Sequence, residues 1–156
     1  MNLPRGRREM STLLGVEQDY PAKTRAQLRQ AAEVMGIDEE YISRMARFFA
    51  ARIAADRQLG KTCARYAGCG GKKQVERMIA FWSSIALHTD AYCGDLVAAH
   101  RNLHDLERQD FARWLALFRA TLDETAPTQA AANYLMSRTE RIAKDLEAAL
   151  FEHAGR

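Results

Sequence analysis

No apolar run in the sequence approaches the roughly 18 residues that a membrane span needs, and the start has no signal-peptide hydrophobic region. A soluble, cytoplasmic protein is the expectation. Alternation of apolar and polar residues, the mark of a half-buried strand, occurs nowhere, so the class predicted is all-α. Cysteine is sparse: Cys63, Cys69 and Cys93 are odd in number and show no CxxC pairing. That pattern predicts reduced thiols and argues against both a disulfide framework and a zinc site. Charge of either sign is nearly cancelled, at a net +3. The excess sits at the start, where residues 1–30 hold six Lys/Arg against three acids. The body therefore has no electrostatic footprint for nucleic acid or a membrane surface.

What is present is one core's worth of apolar residues, 47% of 156, enough for a single domain burying on the order of 70% of its unfolded surface. Residues 1–22 read as an arm without sustained periodicity. Thr24 and Gln27 form a capping-box pattern for a short helix that Gly36 stops near Met35. Asp38 caps a periodic segment with Tyr41, Ile42, Met45, Phe48, Phe49, Arg52 and Ile53 on one stripe, ending near Gly60. Residues 61–71 read as a loop. Its GCGGKK stretch has neither the preceding strand nor the following Ser/Thr of a phosphate-binding P-loop.

The helical pattern resumes at Lys72 through Val75, Met78, Ile79, Trp82, Ile85 and Ala86. A short helix is predicted from Leu96 to Leu103, and another from Glu107 with Phe111, Trp114, Leu115, Phe118 and Leu122. Pro127 and Thr128 open the last, which carries Tyr134, Leu135, Ile142, Leu146 and Leu150. Within this frame the stretch 81–118, FWSSIALHTDAYCGDLVAAHRNLHDLERQDFARWLALF, sets one imidazole, His100, between aromatic helices. From the residues alone, His100 is either a half-buried histidine satisfied by a backbone carbonyl or a ligand. An aromatic stripe is ordinarily just core.

Three segments read together go further. DEEYISRMARFFAARIAADRQLG, IAFWSSIALHTDAYCGDLVAAH and FARWLALFRATLDE, with ERIAKDLEAAL closing the last helix, resemble a group III truncated haemoglobin over residues 38–150. The FW pair, the YxG…AAH segment and the WLALF helix are specific in combination. The resemblance implies a shortened globin, a two-over-two helical sandwich around haem b, occupying residues 37–153 after an N-terminal extension of residues 1–36. His100 matches the proximal iron ligand. The chemistry agrees, because haem iron takes a neutral imidazole nitrogen while the other ring nitrogen needs an acceptor, such as a carbonyl one turn earlier around Leu96. His104 is the first competitor for the iron, His88 is expected to cap or face solvent, and His153 lies in the tail.

By the same resemblance, Trp114 is the pocket tryptophan whose indole N–H can donate to a bound ligand, and Phe49, Met78, Phe81 and Tyr92 line the haem. Arg77 points toward a propionate edge. Simple packing is the competing reading for Trp114, and surface solvation for Arg77. The distal side departs from the pattern. Ala50 follows Phe49 where relatives carry a ligand-binding tyrosine. Cys63 replaces a loop phenylalanine, Gly71 the tryptophan before the distal helix, and Gln74 the distal histidine. Arg65 or Tyr66 from the loop is a candidate to compensate. The implied function is binding of a diatomic gas such as O₂ or NO. A nitric oxide dioxygenase or peroxidase-like enzyme, served by a reductase, is the first alternative. A haem-free globin-fold binding or signalling module is the second. Oligomeric state is open.

Overall fold

The computed structural model describes residues 22–65, 69–101, 103 and 105–152. Among them are seven helices and no strand: α1 (Ala22–Val34), α2 (Glu39–Ala55), α3 (Leu59–Ala64), α4 (Lys72–Leu87), α5 (Leu96–Arg101), α6 (Arg108–Thr125) and α7 (Gln129–Phe151).

α1 has already begun at Ala22, so Thr24 lies inside its first turn and does not form the expected capping box. Its end is well defined. Gly36 takes φ +96°, and the Ile37 N–H donates to Ala32 O at 3.0 Å while the Gly36 N–H donates to Glu33 O at 2.9 Å. These bonds satisfy carbonyls that the helix end would otherwise leave free, and Ile37 is driven into the core. A Cβ at Gly36 would meet Pro127 at 2.7 Å, so position 36 needs glycine for both backbone and space.

Asp38 caps α2 through Oδ1, accepting from the Tyr41 N–H at 2.8 Å. Glu39 and Glu40 in the first turn suit the helix dipole. Tyr41, Ile42, Met45, Phe49, Ala50 and Ile53 form the buried face, whereas Phe48 is 46% exposed and lies outside the stripe assigned to it. α2 stops at Ala55 and does not continue to Gly60. Asp56 is extended, and its carboxylate accepts the N–H groups of Gln58 and Leu59 at 3.1 and 3.0 Å, turning the chain into the separate helix α3.

At the start of α6 the Glu107 N–H donates to the Asp110 carboxylate at 2.8 Å, closing a capping box. The Thr128 hydroxyl accepts from the Ala131 N–H at the start of α7 and donates to Met35 O at 2.6 Å, tying α7 to the end of α1. α2 packs on α4 and α6 on α7, and α2 lies against α6, giving two layers of paired helices. α1 covers α4, and α3 braces α2 and α6. Ile42, Met45, Phe49, Trp82, Ile85, Phe118, Leu122 and Leu135 form the main core. A second cluster of Val97, Phe111, Ala143 and Leu146 seats α5 on α7. No described helix is long and apolar enough to cross a membrane.

Candidate functional site

α5 is too short to be stable alone, and its position comes from burying Val97 on α7. Near its end, His100 folds back so that Nδ1 lies 2.7 Å from Leu96 O. A carbonyl only accepts, so Nδ1 carries the hydrogen and Nε2 keeps its lone pair. Burial lowers the His100 pKa, outweighing the Leu96 bond that acts the other way. The result is a neutral imidazole with a fixed tautomer and one basic nitrogen, the form that metal ligation requires.

A second feature of the core is an aromatic cluster drawn from α2, α4 and α6. The Phe49 ring meets Trp82, Trp114 and Phe118 edge-on at centroid distances of 5.6, 5.1 and 5.2 Å. The two tryptophans stack at 6.2 Å but differ in their polar ends. Trp82 is buried and donates its indole N–H to Thr139 Oγ1 at 3.4 Å. Trp114 is half-buried, and its indole donates to none of the described residues. Phe81 meets Trp82 on one side and Tyr92 on the other, at 5.2 and 5.5 Å.

Tyr92 is located by its backbone N–H, which donates to Ser84 Oγ at 3.0 Å, while Ser84 donates to Ala80 O. Burial raises the Tyr92 phenol pKa, with Asp95 adding to the rise and Arg77 opposing it. A Cβ at Gly94 would lie 2.8 Å from the Tyr92 hydroxyl, so the YxG spacing lets the phenol lie across its own turn. Met78, Tyr92, Leu96 and Trp114 are partly buried at the edge of the core, with Cys63 among them.

The segment around Cys63 differs from expectation. Cys63 is bonded to Cys69 with a Cα–Cα distance of 5.4 Å, so two of the three cysteines form a disulfide and only Cys93 is a free thiol. The spacing rule missed the pair because a bridge depends on the chain doubling back after α3. Gln74 is held by this loop: Oε1 accepts from the Gly70 N–H, and Nε2 lies 3.9 Å from Cys63 Sγ. Ala50 is buried and offers no donor. Arg65 is paired with Asp105 and is thus already engaged. Arg77 is exposed, its Nε donating to Lys73 O at 3.3 Å on its own helix.

His88 ends α4 in the left-handed conformation, φ 55° and ψ 37°. It caps as expected but does not face solvent, since both ring nitrogens are buried and have no hydrogen-bond partner among the described residues. His104, His153 and Tyr66 lie outside the described residues.

Among the described residues no group of three or more His, Cys, Asp or Glu side chains converges as a bare metal ion would require. Haem asks less of the protein, because the macrocycle supplies the equatorial nitrogens and one imidazole completes the proximal side. The neutral His100 imidazole, with Nε2 left as its basic nitrogen, has the chemistry that such a proximal ligand needs.

The helix order, the two crossed layers and the short α5 define a truncated-globin fold. The same architecture is found in the crystal structure of group III truncated hemoglobin from Campylobacter jejuni, with a TM-score of 0.68 over 77% of this chain and 96% of that one, at 22% identity. No protein-family model and no curated protein sequence matches the chain. Ser84, which positions Tyr92, and Cys69, which closes the loop, were not singled out by the sequence. A Cys-x5-Cys spacing in a glycine-rich segment was the available signal for the second.

Proposed function

We propose that the chain binds haem b through His100 and holds a diatomic gas on the opposite face. The observation that carries this is the Nδ1–H bond from His100 to Leu96 O, on a fold shared with a truncated haemoglobin. His100 would ligate iron through Nε2, with the Leu96 carbonyl fixing ring orientation and raising the basicity of the ligating nitrogen. Bound in this way, haem supplies an iron centre that takes up small gases reversibly. The haem-binding unit would be residues 37–153.

The remaining roles belong to side chains of this chain. Met78, Phe81 and Tyr92 would give apolar walls that exclude water and hold the macrocycle by contact area, with Phe49 packed behind them as the buried support of Trp82 and Trp114. Arg77 is free to turn its guanidinium from Lys73 O toward a propionate, gaining a charge-assisted bond. Trp114 brings an indole N–H with no described partner, and it is the available donor to a polarised ligand. Ala50 cannot donate and Gln74 is already engaged. O₂ release is accordingly faster than in a relative with tyrosine at position 50, each donor being worth about 1 kcal/mol.

Titration of the purified full chain with haemin tests the reading. A Soret band that saturates at one haem per chain supports it, and absence of that band overturns it. Sustained NO consumption by the ferrous protein under O₂ with a reductant would mark an enzyme, and a single stoichiometric event a carrier.

A further inference from the structure

The Cys63–Cys69 bridge spans six residues, and a loop that short restrains the unfolded chain only modestly. Its Cα–Cα separation of 5.4 Å lies in the ordinary disulfide range, so the bond forms without backbone movement. Both cysteines are partly exposed, within reach of an attacking thiol. Residues 57–77 contain six Lys/Arg and one acid, with Arg65 and Lys72 paired to Asp105 and Glu76. Cys93 lies elsewhere, its Sγ 3.7 Å from Asp90 O.

Gln74 is clamped by this same loop. One end of its amide accepts from Gly70, the residue after Cys69, and the other rests on the Cys63 sulfur. Both partners are held together by the one S–S bond. We propose that Cys63 and Cys69 are a reversible thiol–disulfide site whose oxidised state holds the Gln74 amide on the loop and whose reduced state releases it toward the ligand face. The release half of this proposal rests on the haem reading; the redox half does not.

The chemistry is exchange with a dithiol. A reductant thiolate attacks one bridge sulfur, forming a mixed disulfide as the Cys63–Cys69 bond breaks and the departing thiolate takes a proton. The second reductant thiol then displaces the first protein sulfur. The bridge gains two electrons and two protons, and the dithiol becomes a cyclic disulfide.

The test uses the full chain with Cys93→Ser, equilibrated in reduced and oxidised dithiothreitol at defined ratios, alkylated and weighed by mass spectrometry. Cys63 and Cys69 should become alkylated together in one reversible two-electron transition. Full alkylation of both at the oxidised extreme would overturn the proposal. The Gln74 side-chain amide resonance should shift on reduction, and an unchanged resonance would also overturn it.

In haemin-loaded protein brought to the ferrous state without thiols, reduction of the bridge should slow O₂ dissociation about fivefold, the effect of one hydrogen bond of ordinary strength. That difference should vanish in Gln74→Leu and in Cys69→Ser. Equal rates in the two redox states of the unsubstituted pair would refute the release step. Failure to take up haem would overturn the haem reading while leaving the alkylation and resonance results to judge the redox site.

Discussion

α5 holds His100 by one backbone bond, and none of the described residues bonds its second nitrogen. The segment from Cys63 to Gln74, by contrast, turns its polar groups on one another: sulfur to sulfur, and amide to loop. Polar groups in a low-dielectric setting are costly unless partnered. A group left with spare capacity is therefore suited to an outside ligand, whereas a group already satisfied must first be released. This contrast is the basis on which we propose iron ligation by His100 and a conditional role for Gln74.

The largest expected effect is at the uncommitted side. His100→Ala should weaken haemin affinity beyond the roughly tenfold to hundredfold that loss of a supporting group costs at metal sites. Fluorescence-quenching titration of the two proteins checks this, and equal affinities would erase the contrast. Next comes the shared wall. Phe49, wholly buried among three aromatic rings, should cost about 3–5 kcal/mol on replacement by Ala, read by urea unfolding.

The paired tryptophans give a sharper comparison. Trp82→Phe should lower stability by about 1–3 kcal/mol, because it strips Thr139 of a buried partner, with little change in O₂ release. Trp114→Phe should do the opposite, leaving stability within about 1.5 kcal/mol and speeding O₂ release about fivefold. Stopped-flow O₂ displacement and denaturant curves on both variants decide it, and identical profiles would remove the distinction between a satisfied and an available indole.

The smallest effect concerns His88, whose ring nitrogens find no partner among the described residues. Burial, then Arg138 and Arg25, lower the His88 pKa, so the folded protein holds this ring neutral. An unfolded histidine binds its proton near pH 6.5. The contribution of His88 to stability is thus complete above that pH and is lost as the pH falls through it. The melting temperature should drop between pH 7 and pH 5, and drop less in His88→Asn, which keeps a residue tolerant of the left-handed backbone. Parallel slopes for the two proteins would show that His88 titrates alike in both states.

Periodicity reveals the four long helices because each buries a wide apolar stripe, and caps such as Asp38 and Thr128 act within three residues along the chain. The His100–Leu96 bond is legible for the same reason, since four residues make one helical turn. Features decided by a competing local motif, or by where a helix happens to end, are not legible. The break at Asp56 depends on an Asx turn that competes with helix continuation, and the Cys63–Cys69 bond on where α3 ends. Whether Gln74 faces a ligand or its own loop depends on that bond. The His100 half of the candidate site is written in the spacing of one helical turn, and the Gln74 half in a bridge that forms only because α3 ends where it does.

The most direct measurement is the iron–histidine stretch in the resonance Raman spectrum of the ferrous, haem-loaded chain, compared with His100→Gly before and after addition of imidazole. The stretch should be present in the unsubstituted protein, absent in His100→Gly, and restored by imidazole at a frequency characteristic of a freely held ring. An iron–histidine stretch that persists unchanged in His100→Gly without imidazole would contradict the assignment of the proximal ligand, and with it the division between the two sides of the site.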